Sequence, residues 1–441
     1  MKPAAGAFLA VATSLTSRLL PASIPFRFFG AAVAYHLLAW LALLAGADQF
    51  PRFSGGLGWP LAALHLVTLG VLVMTAIGAS LQLLPVATRV PVRSARWPAA
   101  IWWLYTPGVA AVAFGMGSGL PLPLGAGAVA VALALLAYAV LLATNLRGAR
   151  GMPGVVVHGW AALGCLLVLL ATALSLAAAY LGAPLLGRAT ALALHIAFGA
   201  YGFMGLLALG LSFILVPMFA LAAAPDERQA IASCALAVTA LALAAVAAFG
   251  VAPQPLRVIA IALGGVAVAL HLRLMLDALR TGMRRQLGRS FTLVRIGWAA
   301  LVASLAGALA VVLDAPLAGL STLYGLTLIG GWLLSFLLGI LQRILPFLAS
   351  MHAGRGAKRP PTPSSLSADR PLAIHFFCHL AALAGLALAV VADSSTVAAL
   401  AAGVGALGAA AFGGFFLILL RRMRASPSPP QSPQPCITPV A

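Results

Sequence analysis

Acidic side chains are almost missing from this 441-residue chain, which has 7 Asp and Glu against 26 Lys and Arg. Charged residues of both signs make up only 7 % of the sequence. An ordinary soluble domain carries about 25 %, so a globular protein bathed in water is excluded. Cysteine is scarce as well. Cys165, Cys234, Cys378 and Cys436 show no Cys-x-x-Cys spacing, which leaves no case for a disulfide framework or a zinc site. The three in apolar stretches read as small core fillers. Asp314 and Asp393 fall at the ends of apolar runs and no acid sits in the middle of one. A carboxylate proton relay or cation pump therefore has little to work with.

What is present is hydrocarbon. Hydrophobic residues are 63 % of the chain and the mean hydropathy is +1.09, the composition of a polytopic membrane protein whose main partner is the lipid bilayer. The net charge of +19 does not indicate nucleic acid, because the basic residues sit in short loops between apolar segments. Those segments fall at 25–46, 58–86, 98–118, 122–145, 153–180, 188–219, 229–249, 256–276, 291–313, 318–349, 371–391 and 396–420. Their loops alternate in charge. Arg89, Arg93 and Arg96, then Arg147 and Arg150, then Arg280, Arg284, Arg285 and Arg289 occupy every second loop. Arg355, Lys358, Arg359 and Arg370 follow the tenth segment, and Arg421, Arg422 and Arg424 the twelfth, whereas the other loops hold only Arg52, Arg188 and Arg257. By the positive-inside rule both termini face the cytoplasm of a bacterial inner membrane. Residues 1–24 read as an interfacial N-terminus in place of a cleaved signal, and residues 425–441 as a disordered, proline-rich tail. Residues 353–370 read as a flexible cytoplasmic loop.

The chain also repeats itself. Gly70, Gly78 and Pro85 recur as Gly202, Gly210 and Pro217, then as Gly331, Gly339 and Pro346, displaced by 132 and then 129 residues. Each trio lies in a long apolar segment, the second, sixth and tenth. The expected fold is all-α: twelve transmembrane helices over residues 25–424, in three parallel four-helix repeats (1–150, 151–288 and 289–424) with a pseudo-threefold arrangement. Gly159-Trp160-Ala161-Ala162 and Gly297-Trp298-Ala299-Ala300 support the same relation. The glycines are expected to bring the three pseudo-equivalent helices into close contact.

Chemistry falls to the eight histidines. His65 and His195 lie at matched depth, about 10 Å below one end of the second and sixth segments by helical rise. Buried imidazoles need partners. The pair could clamp a haem iron or a copper ion between Phe198, Phe203, Leu69 and Met74, with the glycines making room for the ring; alternatively each bonds a helix carbonyl. His36, between Tyr35 and Trp40, offers a third, aromatic-lined ligand. His375 and His379 have i, i+4 ligand spacing but are expected at the interface, in contact with water or headgroups. With His158 and His271 they could form a second inner site. Arg343 either snorkels or holds a haem propionate or other anion, with Gln82 as its counterpart in the first repeat. Trp102, Trp103 and Tyr105 read as an aromatic belt.

The segments HLVTLGVLVMTAIGASLQLLPV (65–86) and HIAFGAYGFMGLLALGLSFILVPMF (195–219), within twelve spans in three parallel groups, resemble the haem–copper oxidase catalytic subunit superfamily. The opening PFRFFGAAVAYHLLAWLAL (25–43) resembles its NnrS-type relatives, membrane haem and copper proteins tied to nitric oxide metabolism. The resemblance implies a low-spin haem b ligand at His65 and a copper ligand at His195. It also marks departures. The tenth segment carries Tyr324 where the second repeat has His195, and the seventh (IASCALAVTALALAAVAAFG) has no histidine. The expectation is a haem- or copper-binding protein without a complete oxygen-reducing centre. It would act in electron transfer, nitric oxide handling or metal and haem homeostasis, with a periplasmic cytochrome, a copper protein or a small gas as partner. The alternatives are a metal-free channel or transporter for a small solute and an assembly or scaffold subunit.

Overall fold

The computed structural model describes residues 20–91, 94–353 and 361–425. The tail expected to be disordered and nearly all of the N-terminus expected to be interfacial lie outside them, as does the middle of the loop after the tenth segment. Among the described residues twelve helices are long and apolar enough to cross a membrane. They are α1 (Ser23–Ala45), α2 (Trp59–Thr88), α3 (Arg96–Ser118), α4 (Pro121–Arg147), α5 (Pro153–Tyr180) and α6 (Arg188–Ala220). The second half comprises α7 (Glu227–Ala248), α8 (Pro253–Thr281), α9 (Gly288–Val312), α10 (Leu320–Ala353), α11 (Asp369–Val391) and α12 (Ser395–Ala425). The chain is an all-α, multi-pass integral membrane protein.

Helix starts are written locally. Proline opens α4, α5 and α8 at a position whose N–H needs no intrahelical partner. Two of the rare acids do the same work electrostatically. Asp226 caps α7 by accepting from Gln229 N at 2.9 Å, and Glu227 accepts from Gly154 N, at the start of α5, at 2.6 Å. Pro85, Pro217 and Pro346 sit inside their helices, which continue to Thr88, Ala220 and Ala353.

Helices α3 and α4, α7 and α8, and α11 and α12 pack as adjacent pairs; α1 lies on α2, α5 on α6 and α9 on α10. Helix α4 leans on α5, α8 on α9, and α12 returns to α1. The most buried spans, α2, α6 and α10, touch one another. Each contains a π-helical stretch: Leu66–Val73, Ala197–Leu206 and Leu326–Leu334.

The glycine contacts differ from the expected ones. A Cβ on Gly78 would meet Phe28 of α1 at 3.0 Å, one on Gly210 would meet His158 of α5 at 2.6 Å, and one on Gly339 would meet Ser290 of α9 at 2.5 Å. Gly70, Gly202 and Gly331 face Tyr35, Cys165 and Ala300 of the same three helices, at 2.7, 2.9 and 3.1 Å. The close crossings are thus with the helix preceding each inner one, and the inner helices are not the glycines' partners. Eight residues of regular α-helix turn about 800°, which would leave the two glycines of a pair some 80° apart. Yet Tyr35 and Phe28, or Cys165 and His158, are seven apart on their partner helix. The π stretch winds in the surplus residue, and so both glycines face one neighbour. The Gly-Trp-Ala-Ala pair is not matched in this way, since Gly159 faces Leu146 and Gly297 faces Phe336.

Two carbonyls of the π stretches accept both the backbone N–H five residues on, from Met74 and Ser335, and a side-chain hydroxyl. Tyr105 Oη donates to Leu69 O at 3.0 Å and Ser335 Oγ to Gly330 O at 2.9 Å. Tyr105 is therefore a fully buried core residue and not part of a belt, whereas Trp103 is 68 % exposed. Trp102, half-buried, donates to Arg27 O at 3.1 Å. Cys165 and Cys234 are buried, unpaired fillers.

Candidate metal centre

His65 ends the α-helical first turns of α2, directly before its π stretch, and His195 stands two residues before the π stretch of α6, with Ile196 between. Their rings meet, with centres 6.3 Å apart and planes inclined by 31°. His65 Nδ1 lies 3.0 Å from Leu61 O. A carbonyl only accepts, so Nδ1 carries the proton and Nε2 bears the lone pair. His195 Nδ1 is buried without a partner. Metal–imidazole bonds of about 2.0–2.1 Å, with about 1 Å more from nitrogen to ring centre, place two ligating rings on one ion about 6 Å apart. The observed spacing suits one ion. It suits a porphyrin less well on the glycine side, because Tyr35 and Cys165 fill the space beside Gly70 and Gly202.

Tyr324 is drawn elsewhere. It hydrogen-bonds Tyr201, whose hydroxyl donates to Ser304 Oγ at 3.1 Å. Both tyrosines line an alanine-rich cavity of about 290 Å³ between α6, α7, α8, α9 and α10, with Trp332 at its wall and Arg257 among its lining residues. Arg343 lies 19 residues beyond Tyr324 on α10, roughly 28 Å along the axis. Its Nε donates to Ser290 Oγ at 2.8 Å and its Nη2 to Leu287 O, so it binds the first turn of α9. Gln82 Nε2 instead lies 3.3 Å from His352 Nε2.

The remaining histidines form two buried groups that the sequence did not reveal. His36 is placed against His375, with ring centres 5.7 Å apart, and His375 stacks on His379 at 5.7 Å. All three are at most 1 % exposed. This corrects the interfacial expectation for His375 and His379: α12 covers their face of α11, where Gly408 packs on Cys378 and Phe412 on His375. His158 and His271 flank Phe213 at 5.3 and 5.0 Å, apart from the other group. The i, i+4 spacing of His375 and His379 was the legible signal; the arrival of His36 from α1 was not. Among the described residues, no three His, Cys, Asp or Glu side chains are arranged to hold a metal ion together.

No family model and no curated protein sequence matches the chain. Among solved structures, the chain is similar to one described as "Cryo-EM structure of a heme-copper terminal oxidase dimer provides insights into its catalytic mechanism". The TM-score is 0.60 at 14 % identity, over 93 % of this chain and 85 % of the other. The chain has the fold of that oxidase. At this identity the likeness carries the fold and not the chemistry.

Proposed function

We propose that this protein is a divergent member of the haem–copper oxidase-like proteins that holds a metal ion between His65 and His195. The observation that carries the reading is the 6.3 Å approach of two imidazoles from different inner helices. A single copper ion is the occupant favoured by the filled space beside the glycines; haem b, which the same two imidazoles would hold, is the second reading, and the ring separation suits it equally. Either group would supply one-electron chemistry or bind a small gas such as nitric oxide. The chain's own residues orient the ligands. Leu61 O fixes the His65 tautomer. With Tyr324 engaged by Tyr201, a third ligand from α10 is not to hand. The role proposed is electron transfer, gas handling or metal and haem homeostasis, with a periplasmic cytochrome or copper protein as electron partner. Oxygen reduction is not part of it.

The same proposal includes three parallel four-helix repeats around α2, α6 and α10. In its support stand the three π stretches and the three matched glycine pairs. The test is spectroscopic and elemental. Purified protein should carry one copper per chain, or show haem absorption in the visible range. His65→Ala and His195→Ala should each abolish the signal while folding normally. Loss of neither iron nor copper in either variant would overturn the site and leave a metal-free transporter or scaffold.

A further inference from the structure

Close packing leaves few voids larger than a water molecule in a folded interior, so the cavity beside Tyr201 and Tyr324 calls for an occupant. At about 290 Å³ it is roughly twice the size of a dry apolar cavity of about 150 Å³ that takes up benzene. Small side chains make it. Ala193 and Ala197 of α6, Ala240 and Ala244 of α7, and Ala260 and Gly264 of α8 line it from three sides. Helix α8 packs on the Leu207–Ala220 part of α6, and the cavity lies mostly beside the part of α6 that precedes it. Ile196 on that wall is 36 % exposed, so the cavity is an open slot and not a sealed void.

The slot runs along the helices. Its lining extends from Arg257 to Val268 on α8 and from Leu301 to Val312 on α9, which is about 16 Å of helix in each case. The hydrocarbon core of a bilayer is about 30 Å thick, so the slot is as deep as one leaflet. Its two ends differ. Arg257, near the start of α8 and exposed, marks the end at the membrane surface. It joins neither the Arg52–Asp393 nor the Arg280–Asp277 pair, and it is not paired with Asp314, just past the end of α9. The walls below it offer no imidazole, carboxylate or thiol. Their hydroxyls are occupied. Ser304 Oγ donates to Leu301 O at 2.7 Å and Tyr201 Oη to Ser304 Oγ at 3.1 Å. Tyr201 has no second proton, so in its bond with Tyr324 it accepts. All three hydroxyl protons are spent within the wall, which can face an alkyl chain without stranding any of them.

We infer that the slot seats one acyl chain of an anionic phospholipid, with the phosphate at Arg257 and the chain reaching down past Tyr324 to Trp332. Burial of the tail gives no selectivity by itself, because lipid tails elsewhere in the bilayer are equally apolar. The arginine supplies it, at about fivefold for one positive charge beside an anionic lipid. The bound chain takes the place of the side chains that alanine and glycine withhold, and so joins α8 and α9 to α6. Nothing in this depends on a metal at His65 and His195.

Full-length protein in detergent would be delipidated, re-equilibrated with phosphatidylglycerol and phosphatidylcholine of matched chains, and its bound lipid extracted and counted by mass spectrometry. Wild type should retain one more phospholipid than Gly264→Leu and prefer phosphatidylglycerol about fivefold. A Cβ on Gly264 meets nothing closer than Leu305 Cδ2 at 3.9 Å, so the leucine has room to enter the slot. Ala244→Leu fills it from another wall and replaces Gly264→Leu should that variant not fold. Arg257→Gln should still retain phospholipid but lose the preference. Phosphatidylglycerol with brominated chains should quench the fluorescence of wild type by a larger fraction than that of Trp332→Phe. Equal phospholipid in wild type and a folded slot-filling variant would overturn the inference. So would a preference that survives Arg257→Gln, equal quenching with and without Trp332, or an isoprenoid quinone recovered in place of the phospholipid.

Discussion

Replacing Gly339 by alanine tests the packing argument most sharply. The new methyl would stand 2.5 Å from the Ser290 carbonyl oxygen, 3.0 Å from Val294 Cγ2 and 3.1 Å from Leu293 Cβ, where ordinary contact begins at 3.4 Å. The nearest obstacle is backbone, so no side-chain rotation relieves it. Nor can α9 slide freely, because Arg343 holds its first turn through Ser290 and Leu287. Overpacking of this kind costs about 1–3 kcal/mol. Gly403 of α12 provides the control, since a methyl there meets nothing within 4 Å. There alanine should gain about 0.8–1.0 kcal/mol of helix propensity. The two variants should differ by about 2–4 kcal/mol in opposite directions from wild type. The assay is unfolding in mixed micelles followed by helical ellipticity against increasing denaturing detergent. A Gly339→Ala protein as stable as Gly403→Ala would refute the close crossing of α9 and α10.

Tyr105→Phe should destabilise by about 0.5–1.5 kcal/mol in the same assay, because it removes the hydroxyl's hydrogen bond to Leu69 O, which keeps its bond from Met74 N. At the surface, Arg52 hydrogen-bonds the Asp393 carboxylate and holds its pKa below the ordinary value. The contribution is present above the ordinary carboxylate pKa and disappears as pH falls through the lowered one. Wild type and Arg52→Gln should therefore differ slightly at pH 7 and low salt, and converge in strong acid and in high salt. Reporter fusions at Arg285 and Ser364 should lie on one side of the membrane and those at Ala183 and Ser394 on the other; one reversed fusion would break the twelve-span count.

Much of the architecture was legible because lipid imposes it. Apolar length alone located all twelve helices to within a few residues; α8 and α12 run furthest beyond their expected ends, to Thr281 and Ala425, through arginines expected in the loops. The eight-residue glycine interval held more than it first yields. It is the trace of a π stretch, and a period of seven would have meant plain α-helix. That inference needed the partner helix, whose facing residues are seven apart. The histidines divide in the same way. His65 and His195 could be paired from their matched depth, because both lie on helices that the repeat makes comparable. His36 and His375 could not, since they are 339 residues apart in sequence and meet only because α12 brings α11 beside α1. Tyr105 was misread for a related reason: an aromatic near a helix end looks like a belt until the carbonyl it serves is known.

That return of α12 to α1 has a consequence for how the protein is made. Gly405 and Gly30 let Trp40 and Phe416 cross the seam between the two helices, and Arg52 joins Asp393 at its edge. Helix α1 thus leaves the ribosome with one flank that has no neighbour until α12 is synthesised. Until then that flank, with His36 on it, can only face lipid or an insertion factor. A chain stalled before Ser395 would hold eleven helices and an open seam, and it is this species, more than any loop variant, that membrane quality control should recognise and degrade.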